Sequence, residues 1–229
     1  MKKPIYSLKN LSYIKNDHKI LSINKFDFHR GAMYLFSGSI GSGKSSLMKV
    51  LTKDIKVDNN NLLYEENDIN SISSSDYIKD IYFVDRTNKR PWLGGSVEKF
   101  MIKYIKSYFS TEYKKSFKKI CNSMKISDHL LKSDISKISD GEYRWILLSI
   151  AIAVDTKVLI IDYIEKYLDS NRRIILNRIL KRKSSHDGVT IIATSYIPES
   201  FKMSTSVFIK MDRGRITQVR SVSHKPKKS

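Results

Sequence analysis

Little in this sequence is acidic: 23 Asp and Glu stand against 42 Lys and Arg, a formal net charge of +19. Cysteine occurs once, at Cys121, which excludes an intramolecular disulfide and any all-cysteine zinc cluster and fits a reducing compartment. No long apolar run exists either. The longest, from Ile146 to Val154, is interrupted by Ser149 and reaches about half of what a membrane-spanning helix needs. The opening MKKPIYSLKN carries charge with no apolar stretch behind it, which argues against a secretory signal. Internal repeats and long low-complexity tracts are also missing. What is present suffices for a packed core: 41% of residues are hydrophobic and 10% aromatic, and 229 residues suit one domain or a core carrying an inserted lobe. The expectation is a soluble, cytoplasmic, globular chain.

A charge of this size invites nucleic acid or an anionic membrane surface as partner. The excess is mostly lysine, however, accompanied by abundant Ile, Asn, Tyr and Ser, with alanine only at positions 32, 151, 153 and 193. An AT-rich coding sequence produces that profile whatever the function. Basic clusters occur at Lys114-Lys115, Lys118-Lys119, Arg172-Arg173, Lys181-Arg182-Lys183 and Lys225-Pro226-Lys227-Lys228, none interleaved with aromatics as in a nucleic-acid module. No nucleic-acid partner is expected.

Along the chain, short strands are expected at 5–11, 19–23, 26–28 and 33–36. A glycine-rich turn, Gly38 to Gly43, leads into a helix over 44–53 whose Leu47, Val50 and Leu51 share one face. Further strands are expected at 62–64 and 81–84. Residues from about 96 to 133 change to a helical period, with Met101, Ile105, Tyr108 and Phe109 forming one stripe and Tyr113, Phe117, Ile120, Cys121 and Met124 a second. This lobe is inserted into an α/β core. A helix at 141–154, a buried strand at 158–161 ending in Asp162, a helix at 170–183, a strand at 189–193 and a hairpin turning at Asp212-Arg213-Gly214 complete the reading.

Gly38-x-x-x-x-Gly43-Lys44-Ser45 is a P-loop, with an apolar strand before it and an amphipathic helix after it. The glycines let successive backbone N–H groups point inward at phosphate oxygens, and the helix N-terminus adds partial positive charge. In such a loop Lys44 bridges the β- and γ-phosphates and Ser45 offers its hydroxyl to Mg²⁺. The apolar strand ending in Asp162 supplies a Walker B carboxylate for the same ion.

With both halves of a nucleotide site in place, the chain resembles the ATP-binding cassette (ABC) ATPase domain, the nucleotide-binding subunit of ABC transporter-type complexes. The segment from Met33 to Leu47 resembles the family's P-loop, including the extra glycine at Gly41. The helical insert lies where the family carries its signature lobe, and Ile138-Ser-Asp-Gly-Glu142 stands in the place of LSGGQ. Leu168-Asp169 resembles the end of the family's D-loop, and Lys210 to Ile216 its late hairpin. The resemblance implies a P-loop NTPase core with an N-terminal antiparallel β-subdomain and an inserted α-helical signature subdomain. It implies one cassette over 1–220, the helical part at about 96–140, with a flexible basic tail over 221–229. It also implies ATP and Mg²⁺ as cofactors, held by Gly38, Ser39, Gly41, Ser42, Gly43, Lys44, Ser45 and Ser46, with Ser45 and Asp162 on the metal. Tyr13 takes the place of the aromatic that stacks on adenine, although Lys15 fits the register slightly better. Ser139 and Gly141 would face the γ-phosphate of nucleotide on an opposite subunit.

The departures concern catalysis. Where the family has a glutamate that polarises the attacking water, this chain has Tyr163. Phenols ionise near ~10 and are poor bases at neutral pH. Glu165, three residues past Asp162, should lie on the turn rather than on the water. Ser195 or Tyr196 stands for the switch histidine, Asp85-Arg86 for the Q-loop glutamine, and Asp140 for the middle glycine of the signature. That last carboxylate opposes a polyanion unless Arg144 neutralises it.

Together these substitutions imply nucleotide binding with hydrolysis relaxed, beneath an integral membrane permease and beside a second ABC subunit, identical or not. Peripheral attachment to the inner face of the membrane follows. Two other readings stand beside it: a hydrolysis-competent transporter ATPase with a non-standard base, and a nucleic-acid-associated ABC-type protein.

Overall fold

A computed structural model of the chain describes residues 3–87, 89–92, 94–108, 112–154 and 156–222. Strands β1 (Pro4–Lys15) and β2 (His18–His29) pair antiparallel along nearly their whole length. Then follow β3 (Met33–Ser37), α1 (Lys44–Leu51), β4 (Leu62–Tyr64), β5 (Asn67–Asp68), α2 (Ser74–Asp80) and β6 (Ile81–Val84). The inserted lobe holds α3 (Val97–Tyr108), α4 (Tyr113–Ser123) and α5 (Asp128–Lys132), and leads into α6 (Asp140–Ala153). The chain ends with β7 (Val158–Ile161), α7 (Ser170–Ser185), β8 (Thr190–Thr194), β9 (Val207–Asp212) and β10 (Arg215–Ser221).

The strands make two sheets. A small antiparallel one has the order β2-β1-β4-β5, and a larger one runs β10-β9-β3-β8-β7-β6. In the larger sheet every pairing from β9 to β6 is parallel, with β10 as an antiparallel edge. Parallel strands covered on both faces read as continuous apolar runs, and these do. Met33, Leu35, Leu159, Ile161, Ile191 and Ala193 pack against α6, α7 and the helical lobe. Their alternates Tyr34, Phe36, Val158, Ile160 and Ile192 pack against α1 and the antiparallel sheet.

Two local expectations change. The strands expected at 19–23 and 26–28 are one strand, β2, which carries the exposed Asn24 and Lys25 through on its pairing with β1. The hairpin turns at Asn16-Asp17, both with positive φ (49° and 59°), the backbone of a tight primed turn that Asn and Asp tolerate. Helix α2 has no counterpart among the expected elements. Its start is fixed by Ser73, whose Oγ accepts from the Asp76 N–H at 3.1 Å, and Tyr77 is the residue it buries. Of the expected stripes, Phe109 lies outside the described residues, as does the basic tail beyond Val222.

Topology now places the motifs. The carboxyl ends of β3, β8, β7 and β6 lie side by side on one edge of the sheet, because Phe36 pairs with Thr194, Ala193 with Ile161 and Ile161 with Val84. The segments leaving that edge are the P-loop, Ser195-Tyr196, Asp162-Tyr163 and Asp85-Arg86. Ligands of open parallel sheets bind outside such an edge.

Candidate functional site

The P-loop is shaped by what crowds it. Gly38 has φ 144°, and a Cβ there would run into the Met211 carbonyl oxygen of β9. Gly43, which precedes α1 with φ 96°, would place a Cβ 2.9 Å from the Ile20 carbonyl oxygen and from Leu21 Cδ2. Only glycine meets both the left-handed backbone and the close approach. The β9–β10 turn buttresses the loop: Gly214 N–H donates to Ser42 O at 3.0 Å, while Ser22 N–H donates to Gly214 O at 2.9 Å. Ser39, Ile40 and Gly41 form the exposed tip, and Ser45 and Ser46 are half-exposed in the first turn of α1.

Lys44 is buried, and its Nζ donates to Gly38 O (2.8 Å), Ser39 O (2.8 Å) and Ser42 Oγ (3.0 Å). Burial pushes its ammonium pKa down, and Asp162 acts in the opposite direction. A cation curled inside a ring of its own loop's oxygens, with the α1 N-terminus behind it, is a cradle for phosphate.

Asp162 is buried at the end of β7. Its Oδ1 accepts from Thr194 Oγ1 at 2.6 Å, and that same hydroxyl oxygen accepts the Tyr163 N–H at 2.7 Å. Thr194 therefore joins the ends of β7 and β8. The donor set of Ser45 hydroxyl and Asp162 carboxylate is all oxygen, which suits a hard cation such as Mg²⁺.

The residues that replace the expected catalytic groups touch one another. Tyr163 adopts φ 58° and meets the Tyr196 ring edge to face, centroids 5.0 Å apart and planes at 87°. Arg86 lies over the Tyr163 ring at 5.4 Å, and Lys44 Nζ lies 4.8 Å from the Tyr196 centroid. Glu165 uses one of its two carboxylate oxygens on the chain, and the other, Oε2, is buried without a hydrogen-bond partner among the described residues. Its buried Oε1 accepts the N–H groups of Tyr196 (2.6 Å) and Ile197 (3.2 Å), fixing the segment after β8.

Arg144 behaves differently from expectation. At i+4 from Asp140 on α6 it was positioned to neutralise that carboxylate. Instead it is fully buried and donates to the main-chain oxygens of Asp85 (2.7 Å), Asp162 (2.8 Å) and Tyr163 (3.0 Å), tying together the segments that leave β6 and β7. Burial pushes its pKa down to about 10, with Asp162 and Asp85 opposing the shift. The cation that meets Asp140 is Arg90, at 2.8 Å, which also donates to Ile138 O at 2.6 Å and lies over the Tyr143 ring. No sequence signal marks that pair, because fifty residues of lobe separate its members.

Ser139 caps α6 in a reciprocal box: its Oγ accepts from Glu142 N–H (3.2 Å), and Glu142 Oε2 accepts from Ser139 N–H (2.9 Å) and Oγ–H (2.8 Å). The Ser139 N–H and hydroxyl hold the Glu142 carboxyl below its usual range. A Cβ on Gly141 would stand 3.1 Å from Tyr167 O, so the segment after β7 packs directly on the α6 start. Contacts of Ser139 and Gly141 run to these residues and not to the P-loop. Tyr13 is half-buried and pairs with Leu21, whose Cδ2 abuts Gly43.

The family model described as ABC transporter matches residues 21–163. The probable iron export ATP-binding protein FetA of Escherichia coli K12 is 25% identical over 195 residues, covering 82% of this chain and 83% of its own. The energy-coupling factor transporter ATP-binding protein EcfA1 of Staphylococcus aureus is 23% identical over 220 residues, 94% of this chain and 81% of its own. Among solved structures, the dimeric ATP-binding cassette MJ0796 bound to ADP and Pi superposes with a TM-score of 0.81 at 17% identity, covering 96% of this chain and 100% of that one. The cbiO1 subunit of a Clostridium perfringens ABC transporter complex gives a TM-score of 0.80 at 19% identity, with coverage of 96% and 89%. Among the described residues no helix is long and apolar enough to cross a membrane.

Proposed function

The chain belongs to the ABC transporter family, and from that premise we propose that it is an ATP-binding subunit that holds Mg-ATP against a second cassette and hydrolyses it poorly. The observation that carries this reading is the pairing of an intact P-loop and Asp162 with a tyrosine, Tyr163, locked where the family has its glutamate.

The binding half falls to the P-loop and its neighbours. The loop N–H groups from Ser39 to Ser45 and the Lys44 ammonium receive the phosphates, Ser45 and Asp162 hold the metal, and Tyr13 stacks on the base. Mg²⁺ bound there supplies neutralisation of phosphate charge. Ser139 and Gly141 present the α6 N-terminus to nucleotide on the opposite subunit, with Arg90 offsetting the Asp140 charge.

The hydrolytic half lacks a base. Tyr163 is held between Arg86 and Tyr196, and Glu165 is anchored through Oε1 to the N–H groups of Tyr196 and Ile197, which fixes its carboxylate three residues beyond Asp162. A displaced carboxylate is no substitute, since misplacement by ~1 Å can cost about two orders of magnitude in rate. ATP then acts as an adhesive between cassettes, and closure transmits force or a signal to an integral membrane permease on whose cytoplasmic face the subunit sits. Relatives named as ATP-binding proteins of iron export and of an energy-coupling factor transporter support a permease partner.

The test is Lys44→Ala in the complex purified from membranes. Nucleotide-dependent assembly is expected to vanish; assembly and function unaltered by that change would overturn the reading.

A further inference from the structure

We propose that Tyr196 makes the site discriminate between nucleoside triphosphate and diphosphate, by covering Lys44 with its ring so that the γ-phosphate has to displace it. This inference rests on the nucleotide-binding reading and concerns the regulation of that same site.

The argument begins with the lysine. Its three N–H donors are directed at Gly38 O, Ser39 O and Ser42 Oγ, all within 3.0 Å, and a tyrosine ring stands 4.8 Å from Nζ. An aromatic face is the negative end of the ring's quadrupole, so it attracts an ammonium and repels a phosphate. The ring and the terminal phosphate therefore compete for the same cation. A diphosphate draws on Lys44 through its β-phosphate alone and otherwise rests on the N–H groups of the loop curl, whereas a triphosphate draws on the same ammonium through two phosphates and so competes more strongly with the ring. Tyr196 stands on the segment leaving β8.

Four contacts make the cover a fixture. The Tyr196 N–H is anchored on the buried Glu165 carboxylate at 2.6 Å. Its ring rests edge to face against Tyr163 at 5.0 Å. Tyr163 is itself pinned by Arg86 and by the Thr194 hydroxyl, which accepts its N–H. The chain Arg86–Tyr163–Tyr196–Lys44 alternates cation, ring, ring and cation, and a side chain that lifts off Lys44 gives up two favourable contacts at once. Loss of the ring should consequently strengthen triphosphate binding more than diphosphate binding.

The experiment measures, on the full chain with Mg²⁺, the affinities for ADP and for a non-hydrolysable ATP analogue by titration calorimetry. Tyr196→Ser is expected to raise affinity for the analogue by about five- to seventyfold, the combined range of one cation–π contact and one aromatic pair, with ADP raised by a smaller factor so that the analogue-to-ADP ratio increases. Tyr196→Phe should match the wild type, because the ring and not the hydroxyl is the cover. Tyr163→Ser, which removes the support behind the ring, should shift the ratio in the same direction by less. If Tyr196→Ser leaves the analogue-to-ADP ratio unchanged or lowers it while both nucleotides still bind, this inference is overturned and the nucleotide-binding reading stands. If the wild type binds neither nucleotide, both fall together.

Discussion

Arg90 and Asp140 form an ion pair at 2.8 Å between the segment leaving β6 and the first residue of α6. Asp140 is 62% exposed and Arg90 27%, so the pair contributes at most about 1 kcal/mol to stability. Under the proposed reading its consequence is felt at the α6 N-terminus, where an unpaired carboxylate would oppose the phosphates held by a second cassette. Arg90→Ala should leave the melting temperature nearly unchanged and weaken Mg-ATP-dependent association by about five- to tenfold, the effect of one unscreened charge at high effective dielectric. Asp140→Gly in the same background should restore it. Sedimentation velocity at fixed Mg-ATP checks both.

The capping box at Ser139 predicts a stability effect with a pH signature. Ser139→Ala removes the acceptor for Glu142 N–H, at a cost of about 1 kcal/mol, or roughly 2–4 °C in melting temperature for a chain of this size. The Glu142 carboxyl is held below its ordinary value of 4.5, so its contribution is complete above pH 4.5 and is lost as pH falls through the lower folded-state value. The gap between wild type and variant should therefore narrow, without closing, as pH falls below 4.5, because the bond from the Ser139 hydroxyl to the Glu142 carboxylate weakens while its capping of the Glu142 N–H does not titrate.

Arg144 ties the ends of β6 and β7 through main-chain oxygens of Asp85, Asp162 and Tyr163. Arg144→Met strands those carbonyls, and Arg144→Lys cannot span them, because an ammonium lacks the planar fork. Either change should lower the stability by about 3 kcal/mol or more, read as a drop of about 1 M in the urea midpoint. A shift under a few tenths of a molar unit would show that the tie is dispensable.

The sheet and the phosphate loop were legible because their signals are local. Strands buried on both faces leave unbroken apolar runs such as Val158–Ile161, and the P-loop compresses its chemistry into eight consecutive residues, 38–45. The β1–β2 hairpin was only half-read. Asn24 and Lys25 break the apolar pattern of β2 while its pairing with β1 holds on both sides, Lys25 with Lys9 and Ile23 with Leu11, and pairing is invisible to composition. The site's rewiring was not readable at all. Arg144 leaves its i+4 neighbour for carbonyls eighteen residues and more away, Arg90 reaches Asp140 across the helical lobe, and Glu165 finds the segment after β8. Each is a tertiary choice that spacing along the chain does not encode.

The measurement that bears most directly on binding with relaxed hydrolysis is the ATP turnover of the purified complex, wild type against Tyr163→Glu, with Lys44→Ala as the unbound control. A wild type barely above the control is expected, with Tyr163→Glu raising the rate by at least about tenfold, a fraction of the 10²–10⁴ a positioned base supplies. Wild-type turnover of several per second, at the level of about 10 s⁻¹ common among enzymes, with no gain from Tyr163→Glu, would contradict the account.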